Sequence, residues 1–344
     1  MRASSSRPGD KDPKGCDRLF SSQPAGSSYP VGVADEEKGL PSLKSFVLLG
    51  HPVRHSASAP MMTAAFRAAG LQHTYSPLDL VRPEGLKRAV QLIRDGSYDG
   101  ANVTLPYKRD VLKLVDRVDA TAERVGAANV IAIDEKRRLV AHNTDVGALE
   151  AELRVATSGR RRAAIIGAGG AALAAVAACK ALDFAVVGVT TRSWADTAAI
   201  YESETAERVR ALGGLAAVWP SGSKDAPSTK LSTEMRLQFA ELARFADVIV
   251  QATSAGMAGG APGDAIATMV PFEGMSKDAV AFDLVYRPAI TPFLLAAERA
   301  GLKAISGLGM LVRQAEATYK IWLGQDPPAG VMRKAAEVVV SSPV

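Results

Sequence analysis

The sequence predicts an α/β protein of two domains, and three observations lead to this prediction. Short apolar runs of strand length alternate with segments of helical period along most of the chain, which is typical of a mostly parallel sheet covered by helices. A glycine-rich turn at residues 167–172 follows one apolar run and opens a helical segment, which indicates a Rossmann-type, doubly wound domain. The length of 344 residues leaves room for a second, N-terminal α/β domain with its own core.

The N-terminal domain is expected at residues 45–148, completed by C-terminal helices within 310–344. Residues 1–44 are rich in Ser, Gly, Pro and mixed charge and are predicted to be a disordered tail; a transit peptide is the alternative that its aspartates disfavour. The predicted strands are 45–50, 73–80, 98–104, 128–133 and 138–143, the last two as a hairpin. The predicted helices are 60–70, 83–95 and 119–125.

The second domain is expected at residues 149–309 and repeats the alternation of strand and helix. Its predicted strands are 163–166, 184–190, 215–219, 247–252 and 279–284. Its predicted helices are 169–182, 195–212 and 291–300, and a further helix at 310–323 leads back to the first domain. The polar stretch 224–233 is predicted to be a surface loop or an insertion.

Charge and composition exclude several classes of protein. The net charge is +5 without a basic run of five residues, so we expect a small-molecule partner and no nucleic acid. The two cysteines, Cys16 and Cys179, exclude a disulfide framework and a Cys-based metal site, and Pro52 between His51 and His55 disfavours a zinc-binding helix face. No apolar run approaches the roughly 18 residues that span a bilayer. The expectation is a cytoplasmic protein without metal or membrane partner, either a monomer or a homodimer.

The glycine-rich turn has the spacing of a dinucleotide site. Gly167 permits the turn, Gly169 lets the backbone approach a pyrophosphate, and Ala172 allows the helix to pack closely on the strand. The free N–H groups at the start of the helix favour an anion there. The predicted cofactor-binding residues of this turn are Gly167, Ala168, Gly169, Gly170 and Ala171.

The end of the next strand indicates which dinucleotide binds. An NAD site usually places an acidic residue there for the ribose hydroxyl, whereas this chain has Thr191, Arg192 and Ser193. A guanidinium pairs with a 2′-phosphate and stacks on adenine, and the two hydroxyls are short donors. The sequence therefore predicts NADP.

A second dense segment carries candidate catalytic groups. A buried strand delivers Asn102 and Thr104 to one face, and Lys108 follows just past its end. Asp145 stands past the end of another strand. Because α/β folds bind ligands at strand ends, Lys108 and Asp145 are predicted to form an acid–base pair.

Eight motifs follow one another over about residues 45 to 325, namely His55-Ser56-Ala57-Ser58, the segment 102–108, Gly126-Ala127-Ala128-Asn129, Asn143-Thr144-Asp145, the turn 167–172, Thr191-Arg192-Ser193, Ala252-Thr253-Ser254 and the segment 307–314. In their order and spacing these motifs make the chain similar to the shikimate dehydrogenase family. The resemblance implies reversible, NADP-dependent reduction of 3-dehydroshikimate to shikimate, with Lys108 and Asp145 as the catalytic dyad.

The resemblance also implies binding roles. Ser56 and Ser58 would bind the substrate carboxylate, whereas the ring hydroxyls would contact Asn102, Thr104, Asn129 and Gln314. The nicotinamide side of the cleft would be lined by Tyr286, Ala252, Thr253 and Gly307.

The chain departs from the family pattern near the serines, where Ala59 stands in place of a proline and Met62-Thr63 in place of His-Asn. Loss of proline removes a restraint on φ from the loop. These replacements leave open a quinate/shikimate enzyme or a paralogue for a related cyclohexane carboxylate. A non-catalytic NADP-binding regulator is a second alternative, which the presence of both Lys108 and Asp145 disfavours. A folate-type dehydrogenase, which has a similar two-domain plan, is a third. The last would need aromatic stacking near the lysine, for which Tyr107 is the candidate.

Overall fold

The computed structural model describes residues 42–157, 159, 162–220 and 239–342. Most of the predicted tail, residues 1–41, and the predicted loop 224–233 lie outside the described residues. The described chain contains two six-stranded sheets, each with helices packed on it. We call the first sheet with its helices the substrate lobe and the second the nucleotide lobe.

The substrate lobe contains a mixed sheet with the strand order β2-β1-β3-β5-β6-β4. Its strands are β1 (Ser45–Gly50), β2 (Thr74–Asp79), β3 (Gly100–Val103), β4 (Arg117–Val118), β5 (Val130–Ile133) and β6 (Leu139–His142). β1 pairs in parallel with β2 and β3, and β5 and β6 form the predicted antiparallel hairpin. Its helices are α1 (Ser58–Ala68), α2 (Glu84–Arg94) and α3 (Ala120–Val125).

The nucleotide lobe contains a parallel sheet with the order β12-β11-β10-β7-β8-β9. Its strands are β7 (Arg162–Ile166), β8 (Val186–Thr190), β9 (Leu215–Ala216), β10 (Val248–Gln251), β11 (Val280–Asp283) and β12 (Lys303–Ser306). The strand order reverses at β7, whose carboxyl end carries the glycine-rich turn. In doubly wound sheets this reversal opens the crevice that binds ligands.

The remaining helices surround this sheet or return to the first. They are α4 (Asp145–Ala156), α5 (Gly170–Ala181), α6 (Thr197–Tyr201), α7 (Glu204–Ala211), α8 (Phe239–Arg244), α9 (Asp264–Met269), α10 (Pro292–Arg299), α11 (Leu308–Leu323) and α12 (Val331–Ser341). The prediction of one helix over 195–212 is wrong, because the side chains of Asp196 and Ser203 each cap a separate helix start. None of the described helices is long and apolar enough to cross a membrane.

Aromatic packing brings α11 back to the substrate lobe. The ring of Trp322 stacks on Phe46 with centroids 4.2 Å apart, and its Nε1 donates to the carbonyl oxygen of Ile131 at 3.1 Å. Tyr319 packs on Phe66 in the same cluster. Burial of these large side chains holds the last turns of α11, which follow Gln314, against the first sheet.

Candidate active site

A cleft of about 490 Å³ lies where the strand ends of the substrate lobe meet the glycine-rich turn. Fifteen of the predicted site residues line it, namely Ser56, Ser58, Asn102, Thr104, Lys108, Asn129, Asp145, Gly169, Gly170, Ala171, Ala252, Thr253, Tyr286, Gly307 and Gln314. Residues from both lobes and from α11 therefore share one cavity.

Lys108 and Asp145 form an ion pair inside this cleft. The Lys108 Nζ lies 2.6 Å from Oδ2 of Asp145, whose residue is 2% exposed. The backbone carbonyl of Lys108 accepts a hydrogen bond from Ala128 N at 2.7 Å, which holds the lysine backbone against the start of β5. Asp145 is the first residue of α4, where the helix dipole favours a negative charge. The pair is thus held from both sides.

Asn129 connects this pair to α11. Its Nδ2 donates to Oδ1 of Asp145 at 3.0 Å and to Oγ1 of Thr144 at 2.8 Å, and it lies 3.4 Å from Oε1 of Gln314. Its Oδ1 accepts from Thr144 N at 2.8 Å. Oδ1 of Asp145 is therefore bonded to the Asn129 amide, which leaves Oδ2 to Lys108.

Asn102 lies at the centre of a second hydrogen-bonded group. Its Oδ1 accepts from the Tyr75 hydroxyl at 2.9 Å, and its Nδ2 donates to the carbonyl of Asn129 at 3.1 Å and to Thr318 Oγ1 at 3.2 Å. Sequence reasoning missed Tyr75 and Thr318. The β2 strand and the α11 helix supply them from distant parts of the chain.

The two serines stand on the loop that enters α1. Ser56 Oγ donates to Ser58 Oγ at 3.1 Å, and Ser58 N donates to Ser56 Oγ at 3.2 Å. Across the cleft, the Tyr286 hydroxyl lies 3.5 Å from Ala57 N. Two hydroxyls and a phenol thus surround one end of the cavity, a set of donors that suits a carboxylate.

The glycine-rich turn has the geometry that a pyrophosphate needs. Gly167 has φ +116°, and a Cβ there would lie 3.0 Å from the Ala252 carbonyl oxygen, so a side chain would be strained and crowded. A Cβ on Gly169 would meet nothing within 4 Å, which leaves open space beside the turn. α5 begins at Gly170 without a side-chain cap on its first N–H groups, so these groups are available to an anion.

The turn also touches the lysine. A Cβ on Gly170 would lie 3.1 Å from Cβ of Lys108. The start of α5 therefore lies against the aliphatic part of the Lys108 side chain.

Thr191, Arg192 and Ser193 lie beside the turn and not in the cleft. They follow β8, which pairs with β7 so that Ile166 faces Thr190, and Gly167 N donates to the Thr190 carbonyl at 2.7 Å. Arg192 and Ser193 are exposed. The predicted 2′-phosphate residues and Gly167 with Ala168 thus share one edge of the sheet, next to the cleft.

Two fully buried polar side chains, which sequence reasoning also missed, support loops of the nucleotide lobe. Gln251 Oε1 accepts from Thr253 N at 2.5 Å, and its Nε2 donates to the Ala255 carbonyl at 2.9 Å. Asp283 accepts from Val285 N at 2.9 Å and from the hydroxyl of Thr291. Burial raises the pKa of Asp283 to about 7. These side chains end β10 and β11 and hold the loops that line the cleft.

Tyr107, the aromatic candidate for stacking in a folate-type site, has another role. Its ring is buried and its hydroxyl donates to the Leu80 carbonyl at 2.6 Å. A ring held in this way is not available to stack on a pterin.

A lysine–carboxylate pair facing the glycine-rich turn of a Rossmann-type sheet defines a two-lobed, nucleotide-dependent oxidoreductase. The shikimate dehydrogenase (NADP(+)) of Citrifermentans bemidjiense is 37% identical over 300 residues, which are 86% of this chain and 95% of that protein. The chain belongs to the shikimate dehydrogenase family.

Family models and solved structures agree with this assignment. The model of the shikimate dehydrogenase substrate binding domain matches residues 48–131, and that of the shikimate 5′-dehydrogenase C-terminal domain matches residues 307–337. The shikimate 5-dehydrogenase of Thermus thermophilus, solved with NADP(H) and shikimate, is 30% identical with a TM-score of 0.68 and covers 86% of this chain and 100% of that chain. The quinate dehydrogenase of Corynebacterium glutamicum, solved with NAD, is 25% identical with a TM-score of 0.69 and covers 86% and 99%.

Proposed function

We propose that this chain catalyses the reversible, NADP-dependent reduction of 3-dehydroshikimate to shikimate, with Lys108 and Asp145 as its acid–base pair. The observation that carries the proposal is the 2.6 Å contact between Lys108 Nζ and Asp145 Oδ2 in a cleft that adjoins the glycine-rich turn. The names of the curated relatives support the same reaction.

A bound NADPH would supply the hydride for reduction of the substrate ketone. Lys108, as an ammonium, donates the proton that the developing alkoxide requires. Oδ2 of Asp145 stabilises the ammonium and orients Nζ, while Oδ1 of Asp145 stays bonded to Asn129. In the oxidation of shikimate the neutral amine of Lys108 accepts the hydroxyl proton, so the same pair serves both directions.

The serine loop is proposed to hold the substrate carboxylate through Ser56 and Ser58, with the Tyr286 hydroxyl opposite. Asn102, Thr104, Asn129 and Gln314 are proposed to hold the ring hydroxyls. This assignment is supported by their position in the lining of the cleft that also contains Lys108. A ring carboxylic acid with several hydroxyls matches a cleft lined by amides, hydroxyls and serines.

The fit of NADP rests on the turn and its neighbouring strand end. Gly167, Ala168, Gly169, Gly170 and Ala171 would hold the pyrophosphate at the start of α5, and Thr191, Arg192 and Ser193 would hold the 2′-phosphate. Ala252, Thr253 and Gly307 would line the nicotinamide position. The open space at Gly169 and the uncapped helix start support this placement.

The experiment that tests the proposal measures the absorbance of the reduced dinucleotide with purified protein. The substrates are shikimate and quinate, each assayed with NADP and with NAD. We expect the largest kcat/KM for shikimate with NADP. A higher kcat/KM for quinate would favour the second candidate, a quinate enzyme. Two observations favour this candidate, namely the similar fold of the quinate dehydrogenase and the replacements at Ala59 and Met62-Thr63. NADPH binding without turnover of either acid would identify a regulator.

Cytoplasmic location and the choice between monomer and homodimer stay predictions from the sequence. Fractionation of the native host and light scattering of the purified protein test them.

A further inference from the structure

Tyr75 supports one residue of the cleft from outside the cleft lining. It lies on β2, at the edge of the first sheet, where its ring is 6% exposed and packs near Trp322 with centroids 6.2 Å apart. Its hydroxyl donates to Asn102 Oδ1 at 2.9 Å. Burial raises the pKa of the Tyr75 phenol, so a neutral hydroxyl donates to Asn102.

The direction of the hydrogen bond between Tyr75 and Asn102 follows from chemistry. An amide oxygen only accepts, so the phenol must donate its single hydrogen to Asn102.

The amide of Asn102 is held at both ends by the protein. Its nitrogen uses both hydrogens, on the Asn129 carbonyl and on Thr318 Oγ1. Its oxygen accepts from Tyr75 and has a second lone pair. Since Asn102 lines the cleft, it can meet a ligand as an acceptor, and the ligand group that matches an acceptor is a hydroxyl.

We propose that Tyr75 is a positioning residue for substrate: its hydroxyl holds Oδ1 of Asn102 so that this oxygen accepts from a ring hydroxyl of shikimate. The inference rests on the proposed function and adds to it a residue outside the cleft lining. Tyr75 acts through Asn102 and does not touch the reacting atoms.

The test is the Tyr75→Phe variant, which removes one oxygen and keeps the ring. Because a buried hydrogen bond to the amide is lost, we expect the KM for shikimate to rise roughly three- to tenfold. The kcat and the KM for NADP should change by less than about twofold, since the interaction is equally present before and during hydride transfer. The matched control is Tyr319→Phe, which removes another buried phenol from the same aromatic cluster and should leave the KM for shikimate unchanged.

Substrate analogues separate positioning from a structural role. Two analogues of shikimate, each without one of the two ring hydroxyls that are not oxidised, are assayed with wild type and Tyr75→Phe. The rise in KM should vanish with the analogue that lacks the hydroxyl bonded to Asn102 and persist with the other. An equal rise with both analogues, an unchanged KM for shikimate, or a Tyr75→Phe protein that fails to fold would each overturn the inference.

The wild-type assay in the same series distinguishes the two proposals. Absence of turnover by wild type would remove the proposed function and this inference with it. Intact wild-type turnover with an unchanged KM in Tyr75→Phe would overturn this inference alone.

Discussion

The two walls of the cleft are built by different means. On the substrate side, buried and partly buried side chains bond to one another: Lys108 to Asp145, Asp145 to Asn129, and Asn102 to Thr318. On the nucleotide side, the glycine-rich turn presents backbone N–H groups, has open space at Gly169 and is too crowded for a side chain at Gly167. Removal of atoms should therefore damage the first wall, whereas addition of atoms should damage the second.

The largest effect is expected on the substrate wall, from Lys108→Ala. Loss of a positioned acid–base group typically lowers turnover by roughly 10²–10⁴, and steady-state assays with shikimate and NADP measure it. Lys113→Ala, which removes an exposed lysine five residues further on, is the matched control and should keep wild-type kcat. Turnover within a few-fold of wild type in Lys108→Ala would exclude this lysine from the chemistry.

The two directions of the wild-type reaction give a second readout of the same group. Reduction needs the ammonium of Lys108 and oxidation needs its neutral amine. We therefore expect the rate of reduction to fall, and that of oxidation to rise, as the pH becomes alkaline. Identical pH profiles in both directions would contradict a proton transfer through this lysine.

Arg192→Ala tests the outer part of the nucleotide wall, where a side chain does act. A charge-assisted bond to the 2′-phosphate is worth about 1.5–3 kcal/mol, so the KM for NADP should rise roughly ten- to a hundredfold. The KM for NAD, which lacks that phosphate, should stay constant, and Arg210→Ala, on an exposed face of α7, should change neither. An equal rise in KM for both dinucleotides would mean that Arg192 does not bind the 2′-phosphate.

The contiguous parts of this design could be predicted from sequence. The turn 167–172 could be predicted from one short segment because its strand, turn and helix follow each other along the chain. β1 was predicted at 45–50 and is observed there. Strand-end residues such as Lys108 and Asp145 were predicted because parallel sheets gather such ends at one edge.

The elements that sequence reasoning missed lack a local signal. β12 is an edge strand of four residues without a fully buried side chain, so it shows no apolar run. For α12 the prediction of C-terminal helices within 310–344 gave no bounds, because this helix begins after Gly330 without a side-chain cap and contains Val338 to Val340, a β-branched run that favours strands. α4 carries Gly147 in its first turn, which lowers helix propensity.

Part of the site also lacks a local signal in the sequence. Thr318 lies 216 residues from Asn102, and a lone threonine within a helix gives no pattern. The predicted domain limit at 148–149 falls inside α4, which packs on α5 and α11.

Two glycine substitutions test how added atoms affect the nucleotide wall. Gly167→Ala places a Cβ at φ +116° and 3.0 Å from the Ala252 carbonyl, which should cost about 1–3 kcal/mol of folding stability and weaken NADP binding. Gly169→Ala points its Cβ into open space, so thermal unfolding should be unchanged while the KM for NADP rises. Equal loss of stability in both variants would show that the turn at Gly169 is crowded without cofactor.

The smallest effect is expected from Asp283→Asn, behind the nucleotide wall. Burial raises the pKa of this carboxyl to about 7 from an ordinary 3.8, so the folded protein binds more protons than the unfolded chain between about pH 4 and 7. Stability should therefore fall as the pH rises through that window, because the folded state must then hold a buried charge. The amide keeps an acceptor for Val285 N and does not ionise. Denaturant unfolding across the window should give a flatter profile for the variant, with a gain on the order of 1 kcal/mol at neutral pH, whereas parallel profiles would show that Asp283 is already ionised at low pH.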